Sequence, residues 1–187
     1  MLAQASVYVH TTVRGKLRVW ERELDRLGLR GHERLLDLGC GRGAVLVAAA
    51  RRLPRGKAVG IDLWRSQDQS GNDPAATRRN AEAAGVGDRI ELCTADMTAL
   101  PFPEASFDIV TSALAVHNVP TAEGRRRALG EATRVLRPGG RLPLADFRHI
   151  NEYRRQLGPT AVAQSLGPEY WYGGPWAATI LITATKS

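Results

Sequence analysis

The chain has 187 residues, of which 43% are hydrophobic and 24% charged, as expected for one globular domain of ordinary size. No apolar run approaches the length of a membrane helix, and the first residues do not resemble a signal peptide. We therefore expect a cytoplasmic protein with no transmembrane segment. Its two cysteines, Cys40 and Cys93, are expected to be free thiols.

The net charge is +7, from 26 basic and 19 acidic residues, and such a balance raises the possibility of a nucleic-acid partner. Most basic residues are arginines, and they are scattered apart from one tight run at 125–127. We expect them mainly on solvated helix faces. Nucleic acid therefore remains a possible partner but not the favoured one.

The N-terminal segment predicts an amphipathic helix. From Thr11 to Leu27 apolar residues recur at steps of four and three, and Gly28 ends the pattern. We expect residues 1–30 to form a helical cap and residues 33–187 the core of a single domain.

The segment Glu33–Trp64 predicts a strand, a tight turn, a helix and a second strand. An apolar run leads into a turn that contains Gly39, Gly41 and Gly43, and the second strand delivers Asp62 at its end. Glycines followed about twenty residues later by an acid are the dinucleotide fingerprint, in which the acid binds the ribose hydroxyls.

Asp37 makes a dinucleotide the weaker interpretation. It lies two residues before the first glycine, so its carboxylate would meet the pyrophosphate of a dinucleotide, and two anions repel. A ligand with a cationic amino group would be attracted. An NAD(P)-dependent oxidoreductase nevertheless stays open, because the sequence from Gly39 to Ala44 also satisfies the pattern G-x-G-x-x-G/A.

The sequence from Asp37 to Gly43, DLGCGRG, resembles the first motif of class I S-adenosylmethionine-dependent methyltransferases. The resemblance extends from about Leu35 to Lys186. It implies an α/β fold, a Rossmann-like three-layer sandwich with a mainly parallel seven-stranded sheet and an antiparallel C-terminal edge hairpin. It also implies a methyltransferase whose cofactor is S-adenosyl-L-methionine.

Later segments fit this family. A long polar loop after Asp62 ends at the helix cap Asp73-Pro74, which places Gly71 and Asn72 beside the ribose site. After a third strand, Asp96 and Met97 match the family's adenine-binding position, although an isolated acid there equally suits a helical cap.

A fourth strand is predicted over Phe107–Ala113, followed by a loop from Leu114 to Pro120 and a helix over Thr121–Leu136. Gly139 and Gly140 are expected to stop that helix. The tail predicts one or two short helices in residues 150–167 and then a final strand. Its aromatic residues are expected in the core rather than in a substrate pocket: Tyr170, Trp171, Tyr172 and Trp176.

The resemblance assigns cofactor binding to twelve residues and predicts no metal site. They are Asp37, Gly39, Cys40, Gly41, Gly43, Asp62, Leu63, Gly71, Asn72, Asp96, Met97 and Ala113. His117, in the loop after the fourth strand, is the preferred candidate for a catalytic base, ahead of Asp146 and His149.

The acceptor is not specified by the sequence. The chain lacks an N-P-P-Y/F sequence, a Pro-Cys pair after the fourth strand and a trio of cysteines, which argues against methylation of base amino groups, of pyrimidine carbon-5 and of arsenic. A small-molecule acceptor is favoured. An RNA-directed methyltransferase or RNA-binding module stays open, and so does the oligomeric state.

Overall fold

A computed structural model of the chain describes residues 15–65, 71–171 and 177–187. In these ranges the strands are β1 Arg34–Leu38, β2 Lys57–Asp62, β3 Ile90–Thr94, β4 Phe107–Ala113, β5 Leu136–Asp146, β6 Val162–Ser165 and β7 Ile180–Thr185. The helices are α1 Lys16–Arg26, α2 Ala44–Arg51, α3 Pro74–Ala83, α4 Ala122–Val135 and α5 Ile150–Leu157. No helix of the described ranges is long and apolar enough to cross a membrane.

All of these strands belong to one sheet with the order β3-β2-β1-β4-β5-β7-β6. The neighbouring strands β3, β2, β1, β4 and β5 pair in parallel, whereas β7 is antiparallel to both β5 and β6. The predicted Rossmann-like sheet with an antiparallel C-terminal hairpin is confirmed. The strand order reverses at β1, and open α/β sheets bind ligands beyond the carboxyl ends of their strands at such a point.

Strand β1 shows why the sheet is covered on both faces. Leu35 packs into a core with α1, α2 and α3, whereas Leu36 and Leu38 pack into a second core that includes α4. All three leucines are fully buried. Because side chains alternate along a strand, a strand with apolar residues in both directions needs helices on both sides.

The N-terminal helix is integrated with the rest of the fold. Its described part ends at Arg26, and Gly28 follows with a positive φ of 58°, as predicted; the expected first residues of the helix, 11–14, lie outside the described residues. Trp20 is buried, and its indole N–H donates to the Tyr170 hydroxyl at 3.2 Å. Tyr170 is therefore a core residue.

Of the other C-terminal aromatics, Trp171 is partly buried. Tyr172 and Trp176 lie outside the described residues.

Two predicted boundaries are wrong. The helix before β5 ends at Val135 without help from Gly139 and Gly140, because the next residue, Leu136, already has extended backbone and pairs with Phe107. The two glycines lie inside β5, where its register against β4 shifts.

The second error concerns the tail. A helix does form over Ile150–Leu157, but Val162–Ser165, expected to belong to one or two short helices, is strand β6. Among the described residues it is the edge strand of the sheet and pairs only with β7.

Candidate active site

The glycine turn between β1 and α2 has the backbone that its sequence predicts. Gly39, Gly41 and Gly43 have φ values of 66°, 51° and 83°, a region that other residues rarely adopt. Space is limited as well. A methyl group on Gly39 would collide with Ala115 Cβ, and one on Gly43 would lie 2.8 Å from Thr77 Cγ2. The glycines therefore let the loop after β4, and helix α3, approach the turn closely.

Side chains of α3 and the end of β2 hold the turn in place. The buried Thr77 hydroxyl donates to the Gly41 carbonyl at 2.6 Å, and Asn80 Nδ2 donates to the Arg42 carbonyl at 2.9 Å. The Gly41 N–H donates to Asp62 Oδ2 at 2.9 Å. Thr77 and Asn80 were not predicted from the sequence, since their contacts join residues more than thirty positions apart.

Cys40 takes part through its main chain. Its N–H donates to the Ile61 carbonyl at 3.0 Å, and its buried thiol packs against Gly60. Burial, with the nearby carboxylates, raises the pKa of the Cys40 thiol well above its usual range. The thiol is therefore neutral and packed inside the fold, and the part of Cys40 in cofactor binding stays a prediction. Both Cys40 and Cys93 are free thiols, as predicted.

Asp37 places a carboxyl group in the interior directly below the turn. Only 2% of the residue is exposed, and the Thr111 hydroxyl donates to its Oδ1 at 2.8 Å. Burial raises the Asp37 pKa to about 7, the charge of Asp62 acts in the same direction, and Lys16 and Thr111 oppose the rise. A carboxyl group in this setting attracts a cationic ligand, because the surrounding protein compensates the negative charge of the carboxylate only in part.

Asp62 is oriented by three donors at the end of β2. Besides the Gly41 N–H, the Trp64 N–H donates to its Oδ1 at 2.7 Å and Asn72 Nδ2 donates at 3.1 Å. A carboxylate can accept about four hydrogen bonds, so Asp62 keeps acceptor capacity. The amide oxygen of Asn72 is buried without a partner among the described residues. Asp62 and Asn72 together thus present unused acceptors, which suit ligand hydroxyl groups.

The ends of β2 and β3 form the edge where adenine binding is predicted. Asp96 is exposed and caps a turn by accepting the Thr98 N–H at 2.8 Å, so one of its oxygens is used locally. Met97 is partly buried, with its methyl group near Gly39. Leu63 is 39% exposed at the end of β2.

Trp64 also belongs to this edge, although the sequence did not single it out. It has an unusual positive φ of 56°, and its indole N–H donates to Thr94 Oγ1 at 2.9 Å. A tryptophan in this region of the Ramachandran map is uncommon, and no pattern in the sequence announces it.

The remaining predicted residues surround this centre. Gly71 is exposed with a positive φ of 66° and open space around it. Ala113 ends β4, and the next residue, Leu114, adopts a positive φ of 58° where the chain leaves the strand. The structure therefore brings the predicted cofactor residues to the carboxyl edge of β1, β2, β3 and β4.

His117 lies on the same edge, in a short 3-10 turn after β4. Its side chain is 13% exposed, and its Nδ1 lies 2.9 Å from Asp146 Oδ1 at the end of β5. Asp146 is completely buried. It is thus a partner of His117 rather than an independent base. His149, directly before α5, is exposed, and its Nδ1 lies 3.7 Å from Glu152 Oε2.

Residues 36–144 match the family model described as a methyltransferase domain. The chain belongs to this family. It is 39% identical over 132 residues to the 27-O-demethylrifamycin SV methyltransferase of Amycolatopsis mediterranei, covering 70% of this chain and 44% of that enzyme. It is 37% identical over 134 residues to the ubiquinone/menaquinone biosynthesis C-methyltransferase UbiE of Roseobacter denitrificans, covering 71% of this chain and 50% of that enzyme.

The chain thus spans about half the length of these methyltransferase relatives. In three dimensions it is similar to a SAM-dependent methyltransferase from Aquifex aeolicus, with a TM-score of 0.70 and 16% identity over 90% of this chain and 89% of that one. At this identity the likeness concerns the fold. The family match confirms the predicted resemblance and does not support the oxidoreductase or RNA-module alternatives.

Proposed function

We propose that the chain binds S-adenosylmethionine at the carboxyl edge of β1 and β2 and transfers its methyl group to a small organic acceptor. The observation that carries this proposal is the buried carboxyl group of Asp37 beneath the glycine turn. A cationic amino group would compensate its charge, whereas a pyrophosphate would add a second anion to the same place.

The residues present fit this cofactor. Asp37 would receive the ammonium group, and the glycines of the turn, which carry no side chain, would let the cofactor approach its backbone closely. Asp62 and Asn72 would receive the ribose hydroxyls with the acceptors that they leave unused. Leu63, Asp96 and Met97 would hold the adenine. When bound, S-adenosylmethionine supplies an electrophilic methyl group on a positively charged sulfur.

His117 would serve the acceptor side. On an acceptor that must lose a proton when it is methylated, such as a hydroxyl group, the imidazole would take that proton and return it to solvent afterwards. A small acceptor is supported by the names of the two relatives, which refer to a rifamycin and to quinone biosynthesis. Two free thiols support a reducing compartment such as the cytoplasm.

Calorimetry tests the cofactor directly. The wild-type chain should bind S-adenosylmethionine and S-adenosylhomocysteine and neither NAD nor NADP. Asp37→Asn and Asp62→Ala should each weaken binding by roughly 1.5–3 kcal/mol, since each removes a charge-assisted contact. Asp88→Asn, at an exposed acid on the opposite end of β3, is the matched control and should bind normally. Tight NAD binding without S-adenosylmethionine binding would overturn the proposal.

A further inference from the structure

The contacts of His117 with Asp146 involve both the ring and the backbone. Asp146 Oδ2 accepts the His117 backbone N–H at 3.2 Å, while Oδ1 accepts the Phe147 N–H at 2.8 Å and lies 2.9 Å from His117 Nδ1. The imidazole also lies against the Phe147 ring, with 4.8 Å between centroids. The imidazole is therefore held from two sides.

The short distance between Nδ1 and the carboxylate restricts where the neutral ring carries its proton. A bare Nδ1 would bring its partial negative charge to 2.9 Å from an anionic oxygen, which is repulsive, whereas the partial positive charge of an N–H there is attracted even though it is not aligned for a hydrogen bond. Nε2 has no protein partner in the part of the chain that the structure describes. It is therefore the nitrogen free to accept a proton.

We propose that Asp146 is a positioning residue that holds neutral His117 in its Nδ1–H tautomer, so that Nε2 faces the acceptor as the base. This inference rests on the proposed function and narrows it. The acceptor group is one that must lose a proton when it is methylated, such as a hydroxyl group. The bond from acceptor oxygen to the methyl carbon forms, the bond from carbon to sulfur breaks, and the oxygen's proton moves to Nε2.

Neighbouring elements keep this arrangement rigid. Arg125, which is 6% exposed, donates from Nη1 to the Val119 carbonyl at 3.0 Å and from Nη2 to Glu152 at 3.0 Å. It thereby ties the loop that carries His117 to α4 and α5. The buried Tyr153 belongs to the same cluster: burial and then the Asp146 charge raise its pKa, so it remains a neutral hydroxyl beside that carboxylate.

Nuclear magnetic resonance can measure the tautomer without knowledge of the acceptor. The full chain is labelled with nitrogen-15 in its histidine rings, and two-bond proton–nitrogen correlations are recorded at a pH where the rings are neutral. His117→Gln assigns the relevant signals, and the exposed His32 is the internal reference. We expect the Nδ1–H pattern for His117, and in Asp146→Asn a roughly tenfold or larger fall in its ratio of Nδ1–H to Nε2–H.

Two further measurements separate positioning from folding. Tyr153→Phe keeps both Asp146 and His117 and should leave the tautomer unchanged, so it reports any effect of disturbing the cluster itself. An Nε2–H pattern in the wild type would overturn the proposal even if Asp146→Asn did not fold, and so would an Asp146→Asn ratio equal to that of the wild type.

Calorimetry with S-adenosylmethionine distinguishes this inference from the function on which it rests. Asp146→Asn should bind the cofactor as the wild type does, because the hydrogen bonds of the Asp146 side chain within the described residues go to His117, Phe147 and Arg148 and not to a predicted cofactor residue. Absence of cofactor binding in the wild type would overturn the proposed function, whereas the tautomer is measured on the free chain.

Discussion

Asp37 shows how one buried side chain can weaken the fold and prepare a binding site. Its pKa is about 7 rather than the ordinary 3.8, so the folded chain holds this proton more tightly than the unfolded chain does. Between about pH 4 and pH 7 the free energy of unfolding therefore falls as pH rises. Above pH 7 the loss reaches about 4 kcal/mol, since one pKa unit is worth about 1.4 kcal/mol.

The first prediction follows from that dependence. Asp37→Asn, which keeps an acceptor for the Thr111 hydroxyl, should stabilise the ligand-free chain by up to about 4 kcal/mol at pH 8 and have little effect at pH 4 to 5. Urea denaturation at both pH values measures the difference, with Asp88→Asn as the exposed control. An equal stabilisation at both pH values would show that Asp37 carries no raised pKa.

At the residue scale, the sequence located the candidate site but not what supports it. Asp37 and Asp62 are predictable because each lies at a fixed offset from the glycine turn. Thr111 and Thr77 are not, because they come from β4 and α3 and meet the turn only after the sheet has formed. Asp146 was identified as a candidate base, whereas its contacts make it a partner of His117.

At the scale of elements, two glycines allow the backbone strain of a substitution to be distinguished from a collision between the glycine turn and α3. Gly43 has a positive φ of 83° and would bring a methyl group to 2.8 Å from Thr77 Cγ2, whereas Gly85 has a positive φ of 70° and open space. Alanine at Gly85 therefore suffers only the backbone strain of about 1 kcal/mol. Alanine at Gly43 suffers the same strain and a collision.

The second prediction is that Gly43→Ala destabilises the chain by roughly 2–4 kcal/mol, against about 1 kcal/mol for Gly85→Ala. Thr77→Ser removes the colliding methyl group and keeps the hydroxyl that donates to Gly41, so it should recover part of the loss in a Gly43→Ala background. Denaturant unfolding of Gly43→Ala, Gly85→Ala, Thr77→Ser and the Gly43→Ala/Thr77→Ser double variant measures this. Equal losses at the two glycines without recovery by Thr77→Ser would contradict the proposed collision.

Elements with strong periodicity or clear end signals were predictable, and those decided by distant pairing were not. β4 has the predicted bounds, and Asp73 caps α3 as expected by accepting the Ala75 N–H. By contrast, Val162–Ser165 becomes a strand only because β7 offers an edge from the far end of the chain. Leu136 leaves its helix because β4 pairs with it, and local sequence cannot reveal either partner.

On the scale of the whole molecule, helix α1 and the segment around Tyr170 are joined in one core. α1 contributes the buried residues Val19, Trp20 and Leu24 to the same core as Tyr170, and Arg22 lies 2.6 Å from Glu169. A methyl group on Gly15 would collide with the Glu169 carbonyl. The segment expected as a cap therefore packs as part of the fold, in the core that also contains Leu35.

The last prediction concerns the energetic coupling between α1 and the C-terminal part of the fold. Trp20 and Tyr170, 150 positions apart in the sequence, share a buried hydrogen bond between their side chains. Trp20→Phe and Tyr170→Phe should each cost roughly 1–3 kcal/mol, because each removes the hydrogen bond between these two buried side chains. The double variant should cost less than the sum, with a coupling of roughly 0.5–3 kcal/mol. Chemical denaturation followed by tryptophan fluorescence and by circular dichroism provides the measurement, and coincident transitions would show one cooperative unit. Strict additivity, or an early separate transition for α1, would instead make the helix an independent cap.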